Sequence, residues 1–157
     1  MERAFDAWEL ALAPMDEKQL AKDLFNHVWT LLEKERRTTA EDDEMIHAAH
    51  ASRYHWGNVG EPVNLARGEW QCSRVYAVLG RAEPALWHGR RSLDLCDEHG
   101  LADFDLAYAY EALARAHRVA RQVPEAEAYE RLAVEAGERI ADREDREHFH
   151  ADLATLA

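Results

Sequence analysis

Apolar side chains recur along this chain at spacings of three and four. Leu20, Leu24, Val28, Leu31 and Leu32 make one such stripe, the period of a helix with one buried face. It predicts a helix capped by Asp16 and running to about Arg37, preceded by a short one from Arg3 to Leu12 that stops at Pro14. Thr38-Thr39-Ala40-Glu41 has the spacing of a capping box, in which a threonine oxygen and a glutamate three residues on satisfy free amides. The third helix should therefore reach Trp56 and end at Gly57. Gly60-Glu61-Pro62 opens a fourth, because proline in a first turn forfeits no intrahelical bond, and this helix should stop near Gly80. Further helices follow from Glu83 to His99, closed by Gly100, from Asp103 to Arg121, and from Val123-Pro124 to near Ile140. Asp142 caps the last. Connections this short favour antiparallel neighbours, so the expectation is an all-α stack of helical hairpins.

Composition narrows the class. The 157 residues, 47% hydrophobic, are enough for one domain with one sizeable core, and no linker or low-complexity tract divides them. Thirty-one acids against 19 bases give a formal charge of −12, which disfavours wholesale binding to nucleic acid or an anionic membrane. Met1-Glu2-Arg3-Ala4-Phe5-Asp6 lacks a basic start followed by an apolar run, and no stretch stays uncharged long enough to cross a bilayer. The expected location is the cytoplasm. Cys72 and Cys96 have no second pair with which to build a disulfide framework or thiolate zinc site, and read as core thiols.

The hairpins repeat. Leu79-Gly80-Arg81-Ala82-Glu83-Pro84-Ala85-Leu86 lies over Ala120-Arg121-Gln122-Val123-Pro124-Glu125-Ala126-Glu127 at an offset of 41 residues. Ser73, Tyr76, Leu79-Gly80, Ala85 and Leu93 in the first unit, with Tyr110, Leu113, Ala114, His117, Ala126 and Ala133 in the second, resemble the tetratricopeptide-repeat family over about residues 62–140. The unit is longer than the common one of ~34 residues. Glu69 and Gly89 stand where that pattern has aromatics, and Arg121 where it has glycine. The resemblance implies a right-handed superhelix of hairpins with a concave, peptide-binding groove. Residues 14–58 would then be a divergent first hairpin and residues 142–157 a terminal capping helix.

Spacing divides the fourth helix into two faces. Glu69, Cys72, Ser73 and Tyr76 fall on the packing side, which leaves Arg67, Trp70 and Arg74 for the groove, and the 41-residue offset adds Tyr108, Glu111, Arg115 and Arg118. Guanidinium forks pair with carboxylates, and exposed tryptophan and tyrosine supply rigid apolar area, so an acidic peptide or the carboxyl terminus of another protein would fit. The competing reading is that Glu111 and other acids neutralise these arginines in surface pairs worth ~0–1 kcal/mol each.

A second cluster runs along the third helix, where Asp43, His47, His50 and Tyr54 follow at spacings of four, three and four. Glu44 and His47, and Glu147 and His150, each have the Glu-x-x-His spacing of di-metal helical bundles. The alternative is partly buried histidines bonded to carboxylates or carbonyls. Cys96-Asp97-Glu98-His99 sits before the Gly100 cap, where a histidine is ordinary. Trp8, Trp29 and Trp87 read as packing residues. No phosphate loop, Gly-x-Ser-x-Gly elbow or His-Glu-x-x-His site is present.

The leading expectation is thus a non-enzymatic interaction module without a cofactor. The second is a metal-dependent bundle enzyme or sensor using Glu44, His47, His50, Glu147 and His150. The third is a homodimer that covers the exposed faces of a short stack.

Overall fold

The structure is a computed structural model that describes residues 15–156, so the helix expected from Arg3 to Leu12, and Trp8 with it, lies outside the described residues. Among the described residues the fold is all-α: α1 (Glu17–Leu32), α2 (Thr39–Val59), α3 (Pro62–Val78), α4 (Ala82–His99), α5 (Asp103–Val119), α6 (Val123–Glu138) and α7 (Arg143–Leu153). A 3-10 turn, Ala154–Leu156, follows. Of these helices none is long and apolar enough to cross a membrane.

Local chemistry sets the ends. Asp16 and Asp142 accept the amides of Gln19 and Asp145, and Thr38 with Glu41 forms the reciprocal capping box. Two boundaries differ from the expectation. Helix α1 stops at Leu32, short of Arg37, because Glu33 to Arg37 offers no apolar side chain to bury. Arg37 instead donates from Nη1 to the Leu31 carbonyl (3.3 Å) and pairs with Asp42 (2.8 Å), closing the corner between α1 and α2. Gly57 does not end α2. The helix continues to Val59, and the Gly60 amide bonds to the Trp56 carbonyl at 2.7 Å. The break falls there because Glu61, ahead of Pro62, is held extended.

Each helix packs on the next in sequence. The odd-numbered helices also touch one another, α1 with α3, α3 with α5 and α5 with α7, whereas α2, α4 and α6 do not. One face of the stack is therefore built mainly from odd helices. Helix α5 begins 41 residues after α3 (Asp103 against Pro62), and α6 begins 41 after α4 (Val123 against Ala82). Small buried residues permit this close packing: Ala66, Ala85, Ala107 and Ala126 are all nearly solvent-free. The Ser52 hydroxyl donates to the Ala21 carbonyl (2.8 Å) and that of Ser92 to Ala66 (3.0 Å), tying the second helix of a hairpin to the first.

Helix α7 closes the far end. Its Phe149 is fully buried beside Tyr108, Ala133, Ala136 and Ile140. Gly137 makes room, since a Cβ there would lie 2.6 Å from the Phe149 Cδ1. Cys72 and Cys96 are buried free thiols, both pushed up to about 12 chiefly by burial, and therefore inert near neutral pH.

Candidate functional site

A cleft of about 490 Å³ opens on the face made by the odd helices. Each helix contributes residues one turn apart, which is why they share a side: Phe25 and Trp29 from α1, Arg67 and Trp70 from α3, Phe104, Asp105 and Tyr108 from α5. Helix α7 supplies Asp145, His148 and Asp152 on the opposite rim. The rings are in mutual contact. Trp70 lies 5.5 Å from Trp29 and meets Tyr108 edge-on at 5.2 Å, while Tyr108 packs on Phe104 and on Phe149.

The residues expected to form a groove divide into three groups. Arg67, Trp70 and Tyr108 line the cleft. Arg74, Glu111 and Arg115 lie behind it as an ion cluster. The Glu111 carboxylate has no exposure and accepts from Arg74 Nη1 (3.1 Å), Arg115 Nε (2.7 Å) and Trp70 Nε1 (3.3 Å). Arg118 lies outside the cleft. It pairs with Glu130 and borders a separate shallow hollow with Val78 and Thr155. Burial pulls the Arg74 pKa below the ordinary arginine value, although Glu111 opposes the shift.

Two expectations about exposure are corrected. Tyr108 is 5% exposed, because α7 covers it. Its hydroxyl donates to Asp152 Oδ2 at 2.7 Å, and burial followed by that bond raises its pKa. Trp87 is 61% exposed, on the outer surface of α4. Trp29 does pack, on Trp70, and lines the cleft as well.

The arginines are also paired internally. Arg67 donates to both carboxylate oxygens of Asp105 (2.7 and 3.2 Å) while its guanidinium lies 5.8 Å from the Phe104 ring centre. Arg115 additionally donates to the Asp152 carbonyl and to Thr155 Oγ1. The C-terminal helix thus occupies part of the expected groove and uses polar groups there.

The two Glu-x-x-His motifs are not brought together, since α2 and α7 make no contact. Glu44 bonds to His27 at 2.6 Å on the surface, Glu147 pairs with Arg143, and His150 stands edge-on to Phe149. His47, Asp43 and Tyr54 face solvent. Among the described residues no three His, Cys, Asp or Glu side chains meet in a manner that could hold a metal ion. His50 is half-buried, with Nε2 at 2.8 Å from the Tyr76 hydroxyl.

His50 leads to a second polar centre that spacing did not reveal. Glu69, 8% exposed, accepts from Arg53 Nε (2.9 Å) and His88 Nδ1 (2.6 Å), joining α2, α3 and α4. The His88 ring stacks on Tyr76 (5.7 Å, 10° between planes) and meets His50 edge-on at 5.1 Å. Burial raises the Glu69 pKa, but the His88 bond and the nearby His88 and Arg53 charges outweigh it, leaving the carboxyl below its usual range. Burial, then the proximity of His88, lowers that of His50. The signal available in the sequence was Glu69 itself: an acid on a packing face demands a cation. Its partners lie 16 and 19 residues away on two other helices, beyond the reach of periodicity along one helix.

No family model, curated protein or solved structure matches this protein.

Proposed function

We propose that this protein is a non-catalytic interaction module of tetratricopeptide-like hairpins, stacked with a right-handed twist, that binds a short peptide segment in the cleft between its odd helices. The observation that carries the reading is the cleft itself: an aromatic wall assembled from three hairpins, with the rings of Phe25, Trp29, Trp70 and Phe104 half-buried along it. Rigid aromatic area of this kind is what peptide anchors bury, and pockets of roughly 300–1,000 Å³ are the usual size of a binding site. The 41-residue register of helices α3 to α6 and the contacts among odd helices support the repeat assignment. Two buried free thiols agree with a reducing compartment such as the cytoplasm.

The acidic segment or carboxyl terminus suggested by the arginines meets arginines already held by Glu111, Asp105 and Asp152. The aromatic wall is the firmer ground for binding. A synthetic library of octapeptides, screened by fluorescence anisotropy against the full-length protein, tests the reading. Trp29→Ala should weaken the peptides that bind by about tenfold, corresponding to about 1.4 kcal/mol, with the helical circular dichroism unchanged. Failure of any peptide to bind, or binding indifferent to both Trp29→Ala and Phe25→Ala, would refute it.

A further inference from the structure

Resting on that reading of the cleft as a peptide site, we propose that its ligand is a basic segment, anchored by an arginine or lysine side chain laid against the aromatic wall. This reverses the charge sign expected from the sequence. The reason is how the charges lining the cleft are used. Arg67 and Asp105 cancel one another in a two-bonded pair. What remains on the rim is Asp145, Asp152 and His148. The Asp145 carboxylate makes no side-chain hydrogen bond or ion pair among the described residues, and faces Arg67 closely enough to favour its charge. Asp152 accepts one bond from Tyr108 and has His148 Nε2 at 3.6 Å, which leaves acceptor capacity on its second oxygen.

The rings point to the same ligand. Aromatic faces carry the negative part of the ring quadrupole and attract a cation within about 6 Å of the centroid. The Trp70 indole is fixed in this wall, because its N–H is directed to Glu111 and its ring contacts Trp29 and Tyr108. The cleft already shows the interaction once, with the Arg67 guanidinium over Phe104. An incoming carboxylate would meet negative ring faces and two rim carboxylates. Of the guanidinium groups that would welcome it, Arg67, 48% exposed at the side chain, is held by both oxygens of Asp105, and Arg74 and Arg115, each 15% exposed, are turned to Glu111. The formal charge of −12 favours approach of a basic partner from a distance.

The test uses the ¹⁵N-labelled full-length protein and four probes: the Nα-acetyl amides of arginine, lysine, glutamate and leucine. Indole N–H resonances of Trp29 and Trp70, assigned by Trp29→Phe and Trp70→Phe, report binding. The arginine and lysine probes should shift both resonances in a saturable manner, and Asp145→Lys, at an exposed position, should weaken the arginine probe by about threefold or more at low salt. Equal or larger shifts with the glutamate or leucine probe would overturn the charge assignment. Library peptides that bind at these indoles but are acidic would overturn it too, while leaving the peptide reading intact. Absence of any probe or peptide at these indoles would remove both.

Discussion

The hairpin α3–α4 and the hairpin α5–α6 keep one register but fill it differently. Tyr76 stacks on His88 at 5.7 Å with 10° between planes, and 41 residues on His117 stacks on Tyr129 at 5.3 Å with 9°: the same ring contact with the two residue types exchanged. Just past each corner a polar side chain steadies the first ring, Arg81 over Tyr76 and Gln122 on His117. Arg74 and Arg115 also correspond, and both converge on Glu111. The hairpins diverge where their surroundings diverge. Position 69 faces the preceding hairpin and holds a glutamate between Arg53 and His88, whereas its counterpart Tyr110 lies against Tyr129. What repeats is the shape of a contact, and buried charge gathers only where one hairpin meets another.

The sharpest way to break this comparison is to remove the two buried carboxylates in turn. Glu111→Ala leaves two largely buried guanidinium groups uncompensated, so urea denaturation should show a loss of about 3–5 kcal/mol. Glu69→Ala should cost about half of that, because Arg53 is the more exposed, at 24% against 15% for Arg74, and the freed guanidinium can reach water. Equal losses would mean that the two junctions are energetically alike.

A second contrast is between the capping interface and the interface within the stack. The methyl group of Gly137→Ala would collide with the ring of Phe149, which is fully buried and cannot withdraw, so a loss of about 1–3 kcal/mol is expected together with displacement of α7. Gly89→Ala meets Leu113 and the Ser73 hydroxyl at 3.2 Å, a milder approach, and should cost less. Thermal melts of the two variants decide the order. Only the first should alter a binding site whose rim includes α7.

These contrasts also show why some features are legible in the sequence and others are not. Helices α3 to α6 announce themselves because Pro62 and Pro124 suit a first turn, Gly80 and Gly100 supply the left-handed residue after a last one, and the 41-residue offset aligns the four helices in pairs. The tail of α1 misleads because Glu33 to Arg37 has helix-forming composition but nothing to bury. Arg67, Trp70 and Tyr108 fall on one face by spacing. The partners that decide their chemistry come from far along the sequence: Glu111 lies 41 residues from Trp70, and Asp152 lies 44 from Tyr108. Periodicity reports a side chain's face on its own helix and says nothing of which acid on another helix will meet it.

Acid should weaken the α2–α3–α4 junction before it affects the rest. His50 has a folded-state pKa below the ordinary 6.5, so the unfolded polypeptide takes up that proton first. Its contribution is therefore complete above about pH 6.5 and is lost as pH falls through the window beneath. The groups facing it are Tyr76 and Glu69 on α3, His88 on α4 and His47 on its own helix, of which only Glu69 favours its protonation. Glu69 follows at lower pH, since its contribution is present above the usual carboxyl value of 4.5 and is lost on descending through its depressed one. Urea midpoints from about pH 7 to about pH 5 should fall, and His50→Gln should flatten that slope. An unaltered slope in His50→Gln would move the effect to another histidine.

The smallest expected effect lies at the two corners, and it tests whether they are equivalent. Gly80 has φ 71° and Arg121 φ 59°, both left-handed, at positions 41 residues apart. A β-carbon in that region costs roughly 1–2 kcal/mol, less when the residue is exposed and makes no competing contact. At Gly80 nothing lies within 4 Å of an added Cβ, so Gly80→Ala incurs only the conformational cost, a loss of about 1 kcal/mol. Arg121→Gly should act in the opposite direction, relieving the same strain but raising the entropy of the unfolded state, for a net gain between zero and about 1 kcal/mol. Opposite signs in paired melts would establish that one backbone device closes both hairpins, with glycine in the first and an arginine tolerated in the second. A loss in Arg121→Gly would mean that the guanidinium or its stem adds something at its corner that glycine does not at the other, and the two corners would then be alike in backbone only.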